Sequence, residues 1–314
     1  MFRVHSGNYH VRTPDGQDYV CKLRGNLKKE LIYSTSGSRA RKVVDAKKRQ
    51  VTDAIAVGDT VNFGDTQLII EEILPRHTDL SRHSPSRRGQ HTLVANLDQV
   101  FLVFAATEPK PDLWLLDKFI VVAEAAGIAP KIVINKVDLL NGDTSSIDAL
   151  FAPYRAIDYP LLYTSVKSGQ GIDEIRQALP GHISAVTGPS GVGKSHLLNV
   201  LIPNADRKVG EIGSITGKGR HTTTTSELVS VVGETVGWIA DTPGLRQLEF
   251  WEINNLDMAL YFREFLPYMN QCRFNDCSHQ EEIGCAIHVA VEKGAIDSRR
   301  YASYKQLLNP QPDY

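Results

Sequence analysis

Gly188-Pro-Ser-Gly-Val-Gly-Lys-Ser195 stands between an apolar, β-branched run, HISAVT (182–187), and an amphipathic one, HLLNVLI (196–202). This succession of strand, glycine-bearing turn and helix matches GxxxxGK[ST] in the setting that gives the motif meaning. Glycines permit a tight turn whose backbone N–H groups cradle phosphates. The loop is therefore expected to bind through Gly188, Pro189, Ser190, Gly191, Val192 and Gly193, with Lys194 reaching the β- and γ-phosphates and Ser195 ligating Mg²⁺ at a helix N-terminus.

Outward from this loop, apolar runs alternate with helical patterns: QVFLVFAA, a helix from about Asp112 to Ala126, PKIVINK, YPLLYTS and IDEIRQAL. Continuous rather than alternating apolar runs imply strands buried on both faces, hence a mostly parallel sheet between helices in an α/β domain. Two further strands are expected near residues 227–232 and 236–241.

Three weaker signals fall at strand ends. Asp241-Thr-Pro-Gly244 puts a carboxylate beside Mg²⁺ and the Gly244 N–H near the γ-phosphate. Asn135-Lys136-Val-Asp138 closes KIVI, and a carboxylate there accepts from the N1 and N2 donors of guanine, which adenine lacks; a buried Asp138 facing adenine would stay unpaired. Ser165-Val-Lys167 offers a further base contact through Ser165 and Lys167. Between the phosphate loop and DTPG lies Gly217-Lys-Gly-Arg-His-Thr-Thr-Thr-Thr225, expected to order on a nucleotide. One of Thr222, Thr223 and Thr224 should bring a hydroxyl to Mg²⁺, with spacing favouring Thr224. Leu245 follows the DTPG glycine, where many GTPases carry a water-orienting glutamine, so His221 is the candidate to supply that role.

Of the 314 residues 42% are apolar and 23% charged, enough to bury a core in two or three domains and inconsistent with disorder, collagen or a coiled-coil rod. Val100–Ala106 and Phe119–Val122 fall short of the roughly 18–20 residues that span a bilayer. MFRVHSGNYH has no run of signal-peptide length, and four cysteines make no disulfide framework, so no membrane association and a cytoplasmic setting are expected. The net charge of −1 hides an asymmetry: residues 1–92 hold 16 Lys and Arg against 10 Asp and Glu, the remainder 19 against 26.

Short strands and turns over residues 1–75 predict a small basic barrel of the oligonucleotide-binding (OB) type. Arg39-Ala-Arg-Lys42 and Lys47-Lys48-Arg49 read as a flexible basic loop, and residues 76–92, with Arg76, Arg82, Arg87 and Arg88, as a cationic linker. Residues 93–250 form the nucleotide-binding domain. A helical domain over 251–314 is expected from LDMALYFREFL, CAIHVAVEKG and SRRYASYKQLL. It carries Cys272, Cys277, His279 and Cys285 in the spacing C-x₄-C-x-H-x₅-C, which suits one closed structural Zn²⁺ site, with His288 a less compact substitute for His279. Cys21 reads as a small core residue.

In the usual translation-factor-like order the phosphate loop precedes NKxD. Here NKVD and SVK precede GPSGVGKS, GRHTTT and DTPG, as in a circular permutation, which is permissible because the site depends on where strands end. With the basic barrel and the cysteine spacing, the chain resembles the bacterial ribosome small-subunit-dependent GTPase A family over essentially its whole length. The resemblance implies GTP hydrolysis to GDP and phosphate, stimulated by the small (30S) ribosomal subunit, in a late assembly factor that then dissociates. It implies GTP or GDP, Mg²⁺ and Zn²⁺ as cofactors, and the small subunit with its rRNA as partner. Val166 stands where the family favours alanine, and the chain starts almost at its first strand without a longer basic extension. The barrel, the arginine-rich linker, Arg299 and Arg300 are expected to meet RNA phosphates. Nothing demands self-association, so a monomer is expected. The alternative is an RNA-binding adaptor gated by nucleotide, in which hydrolysis is incidental.

Overall fold

The reversal at Ser6-Gly7 folds Arg3–His5 (β1) back on Asn8–Arg12 (β2), with Val4 opposite Tyr9. The structure, a computed structural model, describes residues 1–33, 43–48, 55–64, 66–83, 90–202, 227–231, 236–241, 255–280 and 282–309. Asp18–Leu23 (β3) continues the antiparallel sheet, and its exposed and buried residues alternate because only one face is covered. Lys29–Tyr33 (β4) pairs with Val43–Lys48 (β5), so Lys47 and Lys48, expected in a flexible loop, lie on a strand; residues 39–42 and 49 lie outside the described residues. Val61–Gly64 (β6) and Ile69–Ile73 (β7) follow, β7 running parallel to β3. Tyr9, Val11, Cys21, Leu23, Ile55 and Ile70 form the core of these strands, where Cys21 is wholly buried.

Part of the segment expected as linker is also ordered, since Asp79–His83 (β8) pairs with Gln90–Ala95 (β9). Arg76 grips the fully buried Asp59 with two bonds, Nε to Oδ1 at 2.7 Å and Nη2 to Oδ2 at 2.9 Å. Hydrogen bonding to Asp59 pushes the Arg76 pKa up, so its charge serves the fold instead of an RNA phosphate. Arg87 and Arg88 lie outside the described residues.

Gln99–Ala105 (β10) is buried along its whole length and runs parallel to Ala129–Asn135 (β11), in register from Gln99 opposite Ala129 to Ala105 opposite Asn135. Leu161–Tyr163 (β12) extends this sheet in parallel. Continuous apolar runs thus become two-face-covered strands, as periodicity predicts. Ile183–Thr187 (β13) runs parallel to Gly237–Asp241 (β15), which pairs antiparallel with Glu227–Val231 (β14). The helices are Leu113–Ala125 (α1), Ser145–Ala156 (α2), Ile172–Ala178 (α3), Lys194–Leu201 (α4), Ala286–Glu292 (α5) and Ser298–Leu308 (α6). Asp112 caps α1 by accepting from the Leu115 N–H at 3.1 Å. LDMALYFREFL forms 3₁₀ turns, Asn255–Tyr261 and Arg263–Phe265, in place of an α-helix. Their tighter winding turns Phe262 and Phe265 into a core with Ile287, Tyr301 and Tyr304.

Contacts divide the chain into two compact units, Met1–Asp98 with Leu179–Ala185 and Asn204–Leu245, and Gln99–Ala178 with Val186–Pro203 and Arg246–Tyr314. The expected domain at 93–250 is shared between them. Among the described residues no helix is long and apolar enough to cross a membrane.

Within the second unit Arg300 corrects the sequence reading. Its side chain is 1% exposed and meets no solvent polyanion. Nε and Nη2 donate to the Glu264 carboxylate at 2.6 and 3.1 Å, and Nη1 donates to Asp117 at 2.7 Å. Arg299 is turned to the same cluster, donating to the Tyr154 hydroxyl at 3.3 Å, which itself donates to Asp117 at 2.7 Å. This joins α1, α2, a 3₁₀ turn and α6. Arg300→Met is expected to strand two buried carboxylates and cost about 3–5 kcal/mol. Urea denaturation measures the change, and a midpoint equal to the parent's would mean that those carboxylates find other partners.

Candidate functional site

The phosphate loop leaves β13 at Thr187 and enters α4 at Lys194. Close approaches dictate glycine at two of its positions, 188 and 193. A Cβ on Gly188 (φ 144°) would lie 2.1 Å from the Val103 carbonyl oxygen of β10, and one on Gly193 (φ 98°) would lie 2.5 Å from the Asn135 carboxamide nitrogen. Lys194 Nζ arches over the turn and donates to the carbonyls of Gly188, at 2.7 Å, and Pro189. Ser190, Gly191 and Ser195 are exposed, and Val192 is buried. The turn ahead of a helix N-terminus, with an ammonium across it, is an anion-binding arrangement.

Asn135, at the end of β11, is buried and uses both ends of its carboxamide. Nδ2 donates to the Val192 carbonyl at 2.8 Å, and Oδ1 accepts from the Thr164 hydroxyl at 3.1 Å. Lys136, at φ 63°, turns the chain out of the strand and donates to the Glu108 carbonyl at 2.6 Å. Asp138 follows in a 3₁₀ turn, half-buried, with Oδ1 accepting from the Ser165 hydroxyl at 2.6 Å. Ser165 is fully buried and its Oγ also accepts from the Ser168 N–H at 3.2 Å. Lys167 is exposed. The structure therefore brings Asn135, Asp138 and Ser165 together with the phosphate loop, and fixes the carboxylate's orientation through Ser165.

Thr164 is a site residue that sequence reading passed over; a hydroxyl immediately before SVK was its only signal. Asp241 is the last residue of β15, whose Ala240 lies opposite Ala185 of β13. His221, Thr222, Thr223, Thr224 and Gly244 lie outside the described residues.

The second cluster is Cys272, Cys277, His279 and Cys285, whose ligand atoms all lie within 4.8 Å of one another. His279 Nδ1 is 3.5 Å from Cys272 Sγ and 3.7 Å from Cys285 Sγ. Tetrahedral coordination at usual zinc bond lengths requires an S···N edge of about 3.6 Å. The donors therefore fit a four-coordinate thiophilic ion. Backbone N–H groups at the start of α5 add support, from Ala286 to Cys272 Sγ at 3.4 Å and from His288 to Cys285 Sγ at 3.5 Å. Burial pushes the Cys277 thiol up to about 12 and lowers the His279 pKa, favouring a neutral imidazole and making thiolates dependent on a cation. From α6, Tyr301 and Tyr304 donate to the His279 and Ser278 carbonyls at 2.9 and 2.7 Å, holding the loop. His288 faces Glu292 at 3.5 Å and is not in the cluster.

Comparison with known proteins places the chain in one family. Residues 73–251 match the model of the RsgA GTPase family. A protein of Gemmatimonas aurantiaca named "Small ribosomal subunit biogenesis GTPase RsgA" is 40% identical over 96% of this chain and 93% of its own length. One of Azotobacter vinelandii with the same name is 39% identical over 90% and 83%. Among solved structures, YjeQ from Thermotoga maritima is 32% identical with a TM-score of 0.73, covering 98% of this chain and 95% of that one. YloQ, titled a circularly permuted GTPase, is 30% identical with a TM-score of 0.70 over 100% and 95%. With a strand-end carboxylate, a glycine loop and an arched lysine in the permuted order, and similarity over nearly its whole length, the chain belongs to the RsgA GTPase family.

Proposed function

We propose that this chain is a GTP hydrolase that acts in biogenesis of the small ribosomal subunit as a late maturation factor, with turnover stimulated by the subunit and dissociation after hydrolysis. The observation that carries the site assignment is the Asn135 carboxamide, which ties the strand end bearing Asp138 to the phosphate loop at Val192. A nucleotide whose base is read at Asp138 then has its phosphates delivered to Lys194.

Asp138, oriented by Ser165, accepts from guanine N1–H and N2–H, and Lys167 covers the base. The loop Gly188–Gly193 presents N–H groups to the phosphates, and Lys194 exchanges its carbonyl partners for β- and γ-oxygens. Water attacks the γ-phosphorus, the bond to the β-phosphate oxygen breaks, and GDP and inorganic phosphate leave. Mg²⁺, when bound, neutralises phosphate charge; Ser195, Thr224 and Asp241 are assigned to hold it. His221 is assigned to orient the water, because Leu245 cannot. Gly244 N–H senses the γ-phosphate, and Cys272, Cys277, His279 and Cys285 would hold one Zn²⁺, which would brace their loop.

The sheet β1–β3, β6 and β7, with basic β5 paired to β4, supports the OB-type assignment and contact with rRNA. A cytoplasmic monomer is the corresponding setting. Leu245 also favours a second reading, a nucleotide-gated RNA-binding adaptor, in which subunit affinity depends on nucleotide while turnover does not depend on the subunit.

Turnover measured alone and with purified small subunits, large subunits or whole ribosomes at fixed salt separates the two. Stimulation by small subunits is expected, and tight GTP binding without stimulation would favour the adaptor. Asp138→Asn is expected to weaken GTP binding by roughly 100-fold or more while improving xanthosine triphosphate binding; unchanged nucleotide preference would remove Asp138 from base reading. Neutralising Lys47, Lys48 and Arg49 should weaken subunit binding, increasingly so at low salt, with GTP affinity unchanged. Elemental analysis is expected to find one zinc per chain, and its binding should weaken as pH falls because protons compete for Cys277 and its neighbouring thiols. Cys277→Ser with full zinc content would refute this ligand set.

A further inference from the structure

The hairpin β14–β15 is paired along its length, from Glu227 opposite Asp241 to Val231 opposite Gly237. On its other edge β14 takes β1 as partner, with Arg3 opposite Glu227. The Leu228 N–H donates to the Phe2 carbonyl at 2.7 Å, and Arg3 lies 3.7 Å from the Glu227 carboxylate. Side chains cross the same seam. The Trp238 ring of β15 stacks on Phe2 with centroids 5.6 Å apart and planes inclined at 19°. Arg12 of β2 lies over both rings, 5.1 Å from Trp238 and 5.3 Å from Phe2. Its guanidinium is held by Asp18 of β3 through two bonds, at 2.6 and 2.7 Å. A continuous set of contacts therefore runs from β3 through Asp18 and Arg12 to Trp238, all within one compact unit.

Trp238 lies three residues before Asp241 of DTPG, and the threonine run ends two residues before β14 begins. Both segments assigned to sensing the γ-phosphate are thus covalent extensions of strands fastened to the amino-terminal sheet. We propose that Trp238 is a positioning residue that makes β1–β3 and the β14–β15 hairpin respond as one body, so that RNA held by the amino-terminal strands sets the geometry for GTP hydrolysis. The inference rests on the reading of the chain as an RNA-engaging GTPase and adds the route by which the two activities communicate. Reciprocity holds for affinities: to the extent that RNA changes nucleotide affinity, nucleotide changes RNA affinity by the same factor, whereas the effect on kcat carries no such constraint. Trp238, Phe2 and Arg12 border a cleft of about 450 Å³, so truncating Trp238 widens an open space rather than leaving a sealed void in the core.

Hydrogen exchange on the wild-type protein, with GDP and with a non-hydrolysable GTP analogue, tests the route without a ribosome. Protection at residues 1–12 is expected to change together with that at residues 227–241, and in Trp238→Ala only the second change should remain. No change at residues 1–12 in the wild type, or its persistence in Trp238→Ala, overturns the proposal. In turnover assays Trp238→Ala should lose about tenfold of the subunit-stimulated kcat with basal turnover and KM for GTP within about twofold, and Trp238→Phe should restore most of it. Equal stimulation in wild type and Trp238→Ala also overturns it. Arg12→Gln, at the partly exposed end of the stack, is the second variant should the tryptophan change impair folding, and is expected to show the same loss in smaller measure. If small subunits fail to stimulate the wild type, the functional reading fails, while the exchange result still decides the coupling.

Discussion

The Asn135 carboxamide is the fixed point of the candidate nucleotide site. It is planar, has a donor and an acceptor end, and is buried, so each end requires a partner in place. Val192 of the phosphate loop supplies one and Thr164, next to Ser165, supplies the other. Leaving either end unpaired would cost about 1–3 kcal/mol. The same side chain is why residue 193 is glycine, since a Cβ there would lie 2.5 Å from Asn135 Nδ2. Parallel register carries the constraint into the sheet: β10 and β11 end opposite one another at Ala105 and Asn135, and β12 aligns Tyr163 with Ile134. Segments distant in the chain then emerge at one edge with their loops in reach of a single ligand.

The carboxyl-terminal region solves a different problem. Its helices are short and its 3₁₀ turns give weak intrinsic stability, so it is held at two points. One is the cysteine–histidine loop, closed under the Tyr301 and Tyr304 hydroxyls. The other is Arg300, which satisfies carboxylates on α1 and on a 3₁₀ turn. A buried ion pair is weak evidence for stability as such, because desolvation offsets its attraction. Its effect is to specify: α6 cannot slide by a residue without leaving Asp117 and Glu264 unpaired.

Legibility in the sequence followed the range of the interaction. Phosphate loop, NKVD and the four metal-type ligands are local patterns, and each was found at its expected position in a strand end, turn or loop. Arg300 was misread because its partner Asp117 is 183 residues away, and a charged residue on a polar helix gives no sign of burial. Arg76 failed similarly, its mate Asp59 lying in another turn. The helix α2 was missed although Ile147, Phe151 and Tyr154 fall at the i, i+4, i+7 spacing of a buried helix face, because Pro153 inside SSIDALFAPYRA reads as a helix breaker. Lys47 and Lys48 looked like loop because β5 has its partner, β4, across a long connection.

Permuting the order of motifs leaves the nucleotide site intact but changes what each strand is attached to. A strand-end site needs Asp138, Ser165 and the phosphate loop at one edge, and sheet register provides this whatever the chain order. The attachments follow from the order of the segments. β1 sits at the amino end and adds itself to β14, so the strands flanked by the threonine run and DTPG acquire a partner that belongs to the basic amino-terminal sheet. DTPG itself continues into the region that carries the cysteines. In the proposed reading, a hydrolytic event at the γ-phosphate has a hydrogen-bonded neighbour on one side and a covalent one on the other. Under the proposed function, that placement lets the state of the nucleotide be read by the partner, and the state of the partner by the nucleotide.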